Sequence, residues 1–577
     1  MQSRYDPRED AIGPFDMDPN QKSQSKAKRR EPPLFPMTPE QFQEIRADFG
    51  AKFKEWSSGS SGKTTADMAE ILEYMVDDFD HFKTAADPIS TARCFSRKCE
   101  LIKHEVLRLI QRLKSSPKLD LETEEIMAYI RSAILRLTIE VVEHVVPCQH
   151  LREYPAATAN EQEQPLHLAV KQYIPLDNPN PQPGDVTILA AHANGFPKEL
   201  YEPLWEEIHA RSQANGFRIR SIWMADVAQE GESSVINEDS LGNDPSWFDH
   251  PRDLLHLVNV KRAEMPRPII GVGHSMGGAH LTQLSLMHPR LLHTLVLLDP
   301  VIQRQSTQLD ILNMRERRRL IAKTTQLSTH RRDLWPSRQA AAEGFKRSPF
   351  YQAWDPRVLD RWVKYGLRDL PTAIHPLDPN TVVDKQNPPV TLRTPLHQEV
   401  FTFSRPNYNH IPGSDKPVNR VTHPDLDADH PDSYPFYRPE PARIFSQLPH
   451  LRPSVLYIFA GKSDMCLPDM MADKLATTGT GLGGSGGVAK GRVRDVFLKD
   501  FGHLLAQEAV NECADAAACW LAPELRRWRD EEESFRSAWS KKSKIEKMTV
   551  DKQWMENVPA PARRPKNGEQ KAGGSKL

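Results

Sequence analysis

The sequence predicts an α/β fold in which a mostly parallel sheet is flanked by helices. Short apolar runs rich in β-branched residues alternate with amphipathic stretches between about 160 and 300. The same alternation resumes at about 446, after a long interruption. Strands that alternate with helices are typical of parallel sheets with right-handed crossovers. A glycine–serine motif between one strand and the helix after it is the third observation that supports this class.

Each predicted element depends on its own pattern of apolar residues. Runs that alternate or are continuously apolar predict strands at 168–174, 186–191, 217–224, 269–272, 295–299, 455–459 and 493–498. Apolar residues at helical spacing predict helices at 204–212, 247–260, 279–287 and 504–521.

The motif is Gly-Val-Gly-His-Ser-Met-Gly-Gly at 271–278, which lies between a predicted strand and a predicted helix. That order of strand, tight turn and helix is what the nucleophile elbow of an α/β-hydrolase fold requires. Gly273 and Gly277 lack side chains and so allow the strand and the helix to approach closely. The alternative is a purely structural turn, but the strands on both sides favour Ser275 as a nucleophile.

A serine hydroxyl needs a general base, and the base needs a carboxylate that orients its ring. In this fold the chain order is serine, acid, histidine. His503 follows the last predicted strand, and Asp464 follows the penultimate one, so these two residues are the predicted base and acid. Asp299 is the alternative acid, because some hydrolases use the strand that follows the elbow helix.

The oxyanion of a tetrahedral intermediate needs two backbone N–H donors. The first is predicted at Met276, directly after the serine, where the amino end of the helix assists. The second is predicted at Asn194, in the loop after strand 186–191, although Gly195 could serve instead. His192, in the same loop, is predicted to brace the loop.

Sequence composition divides the 577 residues into several parts, because a chain of this length exceeds one hydrophobic core. The predicted parts are a disordered segment at 1–36, a helical extension at 37–150, a first part of the α/β core at 160–300, a lid insertion at 301–445, a second part of the core at 446–525, and a charged helix with a disordered tail at 526–577. The last helical stripe of the extension is placed on Ile126, Ile130, Ile134 and Val141.

Charge and cysteine usage exclude several classes of protein. A net charge of −1 gives no general attraction to nucleic acid or to anionic membranes. Mean hydropathy is −0.59, and no apolar stretch approaches the roughly 18 residues of a transmembrane helix. The six cysteines lack paired spacing, which favours reduced thiols over a zinc site. The predicted chemistry requires no metal and no organic cofactor.

The chain ends in Ser575, Lys576 and Leu577 after a polar, glycine-containing tail. A C-terminal Ser-Lys-Leu is recognised by the peroxisomal import receptor. The tail therefore predicts that receptor as a partner and the peroxisomal matrix as the location.

Three stretches and the terminal tripeptide resemble a known group of enzymes. They read His-Ala-Asn-Gly-Phe-Pro-Lys-Glu at 192–199, Gly-His-Ser-Met-Gly-Gly at 273–278 and Trp-Asp-Pro-Arg-Val-Leu-Asp-Arg-Trp at 354–362. Together they are similar to fungal peroxisomal α/β-hydrolases, a group that includes proteins of host-selective toxin biosynthesis and resembles the yeast peroxisomal lipase. The resemblance covers roughly 165–520 and implies Ser275 as nucleophile, Asp464 as acid and His503 as base.

These observations predict a serine hydrolase that cleaves a carboxylic ester or thioester through an acyl-enzyme intermediate. The apolar lid residues fit a lipid ester. The lid arginines Arg315, Arg317, Arg318, Arg319, Arg331 and Arg332 could instead bind the phosphates of a coenzyme A thioester. A biosynthetic acyl transferase or cyclising enzyme is another alternative, and a non-catalytic binding protein on the same fold is a third.

Overall fold

The computed structural model describes residues 139–305, 325–378, 380, 384, 386–428, 430, 433–558 and 560–561. The predictions for the segment 1–36, for the helical extension up to residue 138 and for the tripeptide at 575–577 lie outside these residues. The lid arginines at 315 and 317–319 also lie outside them.

The strands of the described residues form one large sheet and two small ones. They are β1 (Ile139–Pro147), β2 (His167–Pro175), β3 (Val186–Ala191), β4 (Ile219–Ala225), β5 (Ile269–His274), β6 (Thr294–Leu298), β7 (Leu334–Trp335), β8 (Leu367–Asp369), β9 (Val390–Leu392), β10 (Arg405–Pro406), β11 (Phe436–Tyr437), β12 (Ser454–Ala460) and β13 (Val493–Leu498). The large sheet has eight strands in the order β1-β2-β4-β3-β5-β6-β12-β13. Neighbours from β4 to β13 run parallel, whereas β1 and β2 join antiparallel at one edge. The predicted α/β class with a mostly parallel sheet is confirmed.

The helices lie on both faces of the large sheet and in the segment between β6 and β12. They are α1 (Glu202–Ser212), α2 (Gly231–Ile236), α3 (Asp249–Val260), α4 (Met276–Met287), α5 (Arg338–Arg347), α6 (Pro349–Gln352), α7 (Pro356–Tyr365), α8 (Leu396–Phe403), α9 (Glu440–Gln447), α10 (Pro468–Thr477), α11 (Leu505–Glu508), α12 (Val510–Ser540) and α13 (Lys552–Asn557). Helix α12 extends well past the predicted end at 521 and includes the start of the charged stretch.

Alternate side chains of β3 point into two separate apolar layers. Ile188 packs in the layer that contains α1 and the first half of α12. Leu189, the next residue, packs in the layer that contains α3, α4 and α9. Each fully buried aliphatic side chain contributes about 1.5–3 kcal/mol to folding. This two-sided burial explains why the central strands are continuously apolar in sequence.

The prediction of helix up to residue 150 is wrong at its end, because residues Ile139–Pro147 form strand β1. Every residue of β1 has a partner in β2, from Ile139 opposite Pro175 to Pro147 opposite His167. Val141, assigned to the helical stripe, is exposed. The β-branched residues of this stretch favour extended backbone, and pairing satisfies the N–H and C=O groups of β2. The large sheet therefore begins before the predicted boundary at 160.

The segment between β6 and β12, predicted to be a lid, is fastened to the rest of the chain by polar contacts. Arg361 of α7 pairs with Glu202 of α1 over 2.5 Å, and Arg357 of α7 pairs with Glu207 over 2.6 Å. The indole N–H of Trp247 donates to the carbonyl of Thr402 in α8 over 2.8 Å. Among the described residues, no helix combines the length and the apolar character that crossing a membrane requires.

Candidate active site

The tight turn after β5 holds Ser275 in an unusual backbone conformation. Its φ is 55° and its ψ is −117°, a region that residues with side chains rarely adopt. A Cβ on Gly277 would lie 2.1 Å from the carbonyl oxygen of Ala191, and a Cβ on Gly273 would lie 2.6 Å from the carbonyl oxygen of Gly277. Only glycine fits at these two positions, because strand, turn and helix lie in direct backbone contact.

The structure brings the predicted nucleophile and the predicted base together. The Oγ atom of Ser275 lies 2.8 Å from Nε2 of His503, which is hydrogen-bonding distance. His503 lies in the turn between β13 and α11, so the carboxyl end of one parallel strand carries the imidazole to the carboxyl end of another. A neutral imidazole in this position can accept the serine proton as the hydroxyl attacks a carbonyl carbon.

The assignment of Asp464 as the acid is corrected by the structure. The Nδ1 atom of His503 donates to Oδ2 of Asp299 over 2.6 Å, so the alternative acid occupies the position behind the imidazole. Asp464 is exposed and makes no hydrogen bond or ion pair with a described residue. The reason is geometric. Asp299 is still part of the sheet edge, because its N–H donates to the carbonyl of Ile458 in the neighbouring strand β12. Asp464 lies four residues past the end of β12, in a turn.

The environment of Asp299 keeps its carboxylate charged. Burial would raise the pKa of Asp299, but attraction to His503 and hydrogen bonds from His503, Cys466 and Ser463 outweigh that effect. The pKa of Asp299 therefore lies below its ordinary value. A charged carboxylate at Nδ1 selects the tautomer in which Nε2 is free to accept the proton of Ser275.

Two backbone N–H groups, one in the elbow and one in the loop after β3, are candidates to bind a negatively charged oxygen. Those of Met276 and Asn194, the predicted donors, have no acceptor among the described residues. The N–H of Gly195 donates to Oε2 of Glu230 over 2.6 Å, so that group is occupied. Burial raises the pKa of Glu230 well above its ordinary value. The loop geometry thus favours Asn194 over Gly195 as the second donor.

Two buried residues, Tyr201 and His274, connect the loop after β3, the end of β5 and the loop that carries His503. No sequence pattern predicted this role for either residue. The N–H of Ala193 donates to Oη of Tyr201 over 2.8 Å, and Tyr201 Oη lies 2.9 Å from Nδ1 of His274. Nε2 of His274 lies 2.9 Å from the carbonyl oxygen of His503. Burial and the proximity of His503 lower the pKa of His274 to about 3, so its imidazole is neutral. Tyr201 therefore donates to Nδ1, and the Nε2–H of His274 donates to His503.

His192 braces the loop that carries Asn194. Its Nε2 accepts from the N–H of Val227 over 2.9 Å, and its Nδ1 lies 2.9 Å from the carbonyl oxygen of Ala193. Burial lowers the pKa of His192, which keeps the ring neutral and both contacts compatible. These contacts agree with the bracing role predicted for this residue.

The segment between β6 and β12 contacts the same loop through α8. The side-chain amide of Asn194 donates to the backbone carbonyl of Glu399 over 3.1 Å. The Glu399 carboxylate accepts from Ser328 over 2.7 Å and from Arg331 over 2.5 Å. Arg331, a predicted phosphate ligand, is thus already paired with a buried carboxylate, and Nε of Arg332 donates to the carbonyl of Leu334. Among the described residues, no cluster of side chains has the composition of a metal site.

Comparison with known proteins places this geometry in a family. Residues 188–530 match the model of the alpha/beta hydrolase family. The type I acyl-CoA thioesterase mpaH' of Penicillium brevicompactum is 41% identical over 440 residues, which cover 74% of this chain and 98% of that protein. The abhydrolase domain-containing protein AFT2-1 of Alternaria alternata is 27% identical over 263 residues, 44% of this chain and 84% of that protein.

One solved structure with a similar fold is the peroxisomal alpha-beta-hydrolase Lpx1 from Saccharomyces cerevisiae. It has a TM-score of 0.48 and 15% sequence identity, and the match covers 71% of this chain and 99% of that chain. The family model accounts for more than half of the chain, and the thioesterase is matched over nearly its whole length. The chain belongs to the alpha/beta hydrolase family and is a serine hydrolase of ester or thioester bonds.

Proposed function

We propose that this protein is an acyl-CoA thioesterase that uses Ser275, His503 and Asp299 as its catalytic triad. The observation that carries the proposal is the continuous chain of hydrogen bonds from Ser275 Oγ through His503 to Asp299. The N–H groups of Met276 and Asn194, which have no acceptor among the described residues, support it. The thioester class is supported by the 41% identity to a protein named as an acyl-CoA thioesterase.

In the acylation step, Ser275 Oγ attacks the thioester carbonyl carbon as its proton moves to Nε2 of His503. The N–H groups of Met276 and Asn194 stabilise the negative charge on the carbonyl oxygen of the tetrahedral intermediate. When the intermediate collapses, the C–S bond breaks, and the coenzyme A sulfur leaves with the proton from His503. The acyl group stays on Ser275 as an ester.

In the deacylation step, water replaces the thiol. His503 accepts a proton from the water, and the hydroxide adds to the acyl carbon with the same two N–H groups as donors. Collapse releases the carboxylic acid and returns the proton to Ser275. Asp299 stays ionised throughout, because its role is to orient His503 and to stabilise the imidazolium form.

The nucleophile is tested by Ser275→Ala with acyl-CoA as substrate. We expect kcat to fall by about 10⁴-fold or more, since removal of a triad serine leaves only the oxyanion donors and substrate binding. Ser285→Ala is a matched control, because Ser285 lies on α4, the helix that follows Ser275, is buried and donates to the carbonyl of Leu281. Unchanged turnover by purified Ser275→Ala protein would overturn the proposal.

The substrate class is tested with three derivatives of one acyl group: the coenzyme A thioester, the N-acetylcysteamine thioester and a neutral alkyl ester. We expect kcat/KM for acyl-CoA to exceed that of the N-acetylcysteamine thioester by about 10- to 100-fold, the contribution of one or two charge-assisted hydrogen bonds to phosphate. Equal values would rule out recognition of the coenzyme A portion and favour a general esterase.

We further propose that Ser575, Lys576 and Leu577 direct the protein to the peroxisomal matrix through the import receptor. An N-terminal fluorescent fusion is expected to give peroxisomal puncta, and removal of Leu577 is expected to leave the fusion in the cytosol. Puncta that persist after this truncation would contradict the role of the tripeptide.

A further inference from the structure

The turn at 461–466, which was predicted to supply the acid, contacts the carboxylate of Asp299 through Cys466. While Oδ2 of Asp299 accepts from His503, its Oδ1 lies 2.5 Å from Sγ of Cys466. The hydroxyl of Ser463 also hydrogen-bonds the carboxylate and lies 3.4 Å from Nδ1 of His503. Both oxygens of the acid therefore have side-chain donors.

Cys466 acts in this contact as a neutral donor. Its side chain is buried, and burial together with the charge of Asp299 raises the pKa of the thiol well above its usual value. The sulfur consequently keeps its proton and directs it at Oδ1. A thiolate here would place a second negative charge beside a buried carboxylate, which burial strongly disfavours.

The backbone of the turn holds Cys466 in position. The N–H of Ser463 bonds to the carbonyl of Ala460, and the N–H of Cys466 bonds to the carbonyl of Ser463. The N–H of Lys462 bonds to the carbonyl of Phe501, two residues before His503. The turn is thus tied both to the end of β12 and to the loop that carries the imidazole.

We propose that Cys466 is a positioning residue for hydrolysis, whose thiol orients the Asp299 carboxylate so that Oδ2 faces His503. This inference rests on the proposed role of Asp299 in the triad. Without the thiol, Oδ1 loses a donor in a buried site, where an unsatisfied charged oxygen is costly. The carboxylate can then rotate about its terminal bond, and its alignment with Nδ1 becomes less well defined.

The test compares three single variants by steady-state kinetics. Cys466→Ala is expected to lower kcat about tenfold with KM changed less than twofold, since about one neutral hydrogen bond is lost from the transition state. Cys466→Ser retains an O–H donor and is expected to remain within about threefold of the parent kcat. Cys148→Ala is the matched control, because the Cys148 thiol is also buried and hydrogen-bonded to a buried carboxylate, that of Asp253.

A double variant separates positioning from general stability. If Cys466 acts through Asp299, Cys466→Ala has no further effect on kcat in an Asp299→Asn background, whereas a structural effect would multiply. Melting temperatures of all variants identify losses due to unfolding. Equal kcat for Cys466→Ala and Cys148→Ala, or independent effects in the double variant, would overturn the proposal.

Labelling of Ser275 by a fluorophosphonate tests the role of Cys466 independently of the proposed acyl-CoA substrate. The reagent reports the reactivity of the serine whatever acyl group the enzyme prefers. Slower labelling of Cys466→Ala with normal labelling of Cys148→Ala supports the positioning role even if no acyl-CoA is hydrolysed. Failure of acyl-CoA turnover with intact labelling would reject only the substrate class.

Discussion

Strands β6 and β12 are parallel neighbours whose carboxyl ends open on the same edge of the sheet, and an aspartate follows each of them. Asp299 comes directly after β6, is 1% exposed and has a φ of 41°. Asp464 comes four residues after β12 and is exposed. The first aspartate contacts the imidazole of His503, and the second faces solvent.

The difference shows that the ends of β6 and β12 contribute to the orientation of His503 in different ways. The end of β6 provides the negative charge that orients His503. The turn after β12 provides neutral donors, Ser463 and Cys466, that hold this charge in place. A site needs one buried carboxylate at this point, because a second would repel the first and raise the pKa of both.

Exchange of the two aspartates for asparagine gives the largest expected effect. Asp299→Asn is expected to lower kcat by about 10³- to 10⁴-fold, because the amide no longer selects the tautomer of His503 or stabilises its charged form. Asp464→Asn, the matched control at the other strand end, is expected to stay within about twofold of the parent. Steady-state hydrolysis of one ester substrate by both variants is the measurement, and equal losses would remove the distinction between the two ends.

Three histidines whose rings are largely buried, His274, His280 and His293, predict a loss of stability in acid. Burial lowers the pKa of His280 to about 3 and that of His293 to about 4, and burial with the nearby His503 lowers that of His274 to about 3. In the unfolded chain a histidine has a pKa of about 6.5, so the unfolded state binds more protons below that pH. The stabilisation is complete above pH 6.5 and is lost as the pH falls towards 4. Each histidine is expected to cost about 1–2 kcal/mol in the free energy of unfolding between pH 7.5 and pH 5.

Urea unfolding at the two pH values measures this loss, and a pair of variants assigns it. His280→Leu should reduce the difference between the two pH values by about 1–2 kcal/mol, because the ring nitrogens of His280 have no hydrogen-bond partner among the described residues. His397→Leu, at an exposed position, should leave the difference unchanged. A His280→Leu protein with the full acid sensitivity of the parent would contradict the assignment.

The smallest expected effect is found by comparing two buried tyrosines, one in each apolar layer of the large sheet. Tyr201→Phe removes the hydroxyl that links Ala193 to His274, so His274 loses the donor that sets its tautomer. We expect kcat to fall about tenfold with little change in KM, the value of about one hydrogen bond. Tyr457→Phe on β12 removes an equally buried hydroxyl, whose bond is to Thr478, and should change kcat less than twofold. Matching losses in both variants would show that the Tyr201 effect is general destabilisation.

The elbow and the base could be predicted because their signals are local or topological. The elbow turn can be recognised from five consecutive residues, because its close backbone contacts require glycine at 273 and 277 on either side of Ser275. His503 is identified by its place after the last strand. The role of Tyr201 could not be predicted, since its hydroxyl reaches His274 across 73 residues of sequence and one tyrosine in a helical turn carries no distinguishing pattern.

The N-terminal edge of the sheet shows another limit of sequence patterns. Residues Ile139–Pro147 carry apolar residues that fit a helical stripe as well as a strand. Pairing with β2 decides between them, because β1 supplies hydrogen-bond partners along a side of β2 that would otherwise be the edge of the sheet. Such a pairing depends on residues about 30 positions away.

The α/β class with a mostly parallel sheet, the nucleophile, the base and the chemistry of ester or thioester cleavage follow from the order of residues along the chain, since each depends on a turn or on the alternation of strands and helices. The choice between Asp299 and Asp464 required the folded sheet. Both aspartates follow strands that end at the same edge of the sheet. Asp299 comes directly after its strand and is a buried partner of His503, whereas Asp464 lies four residues past the end of its strand and is exposed.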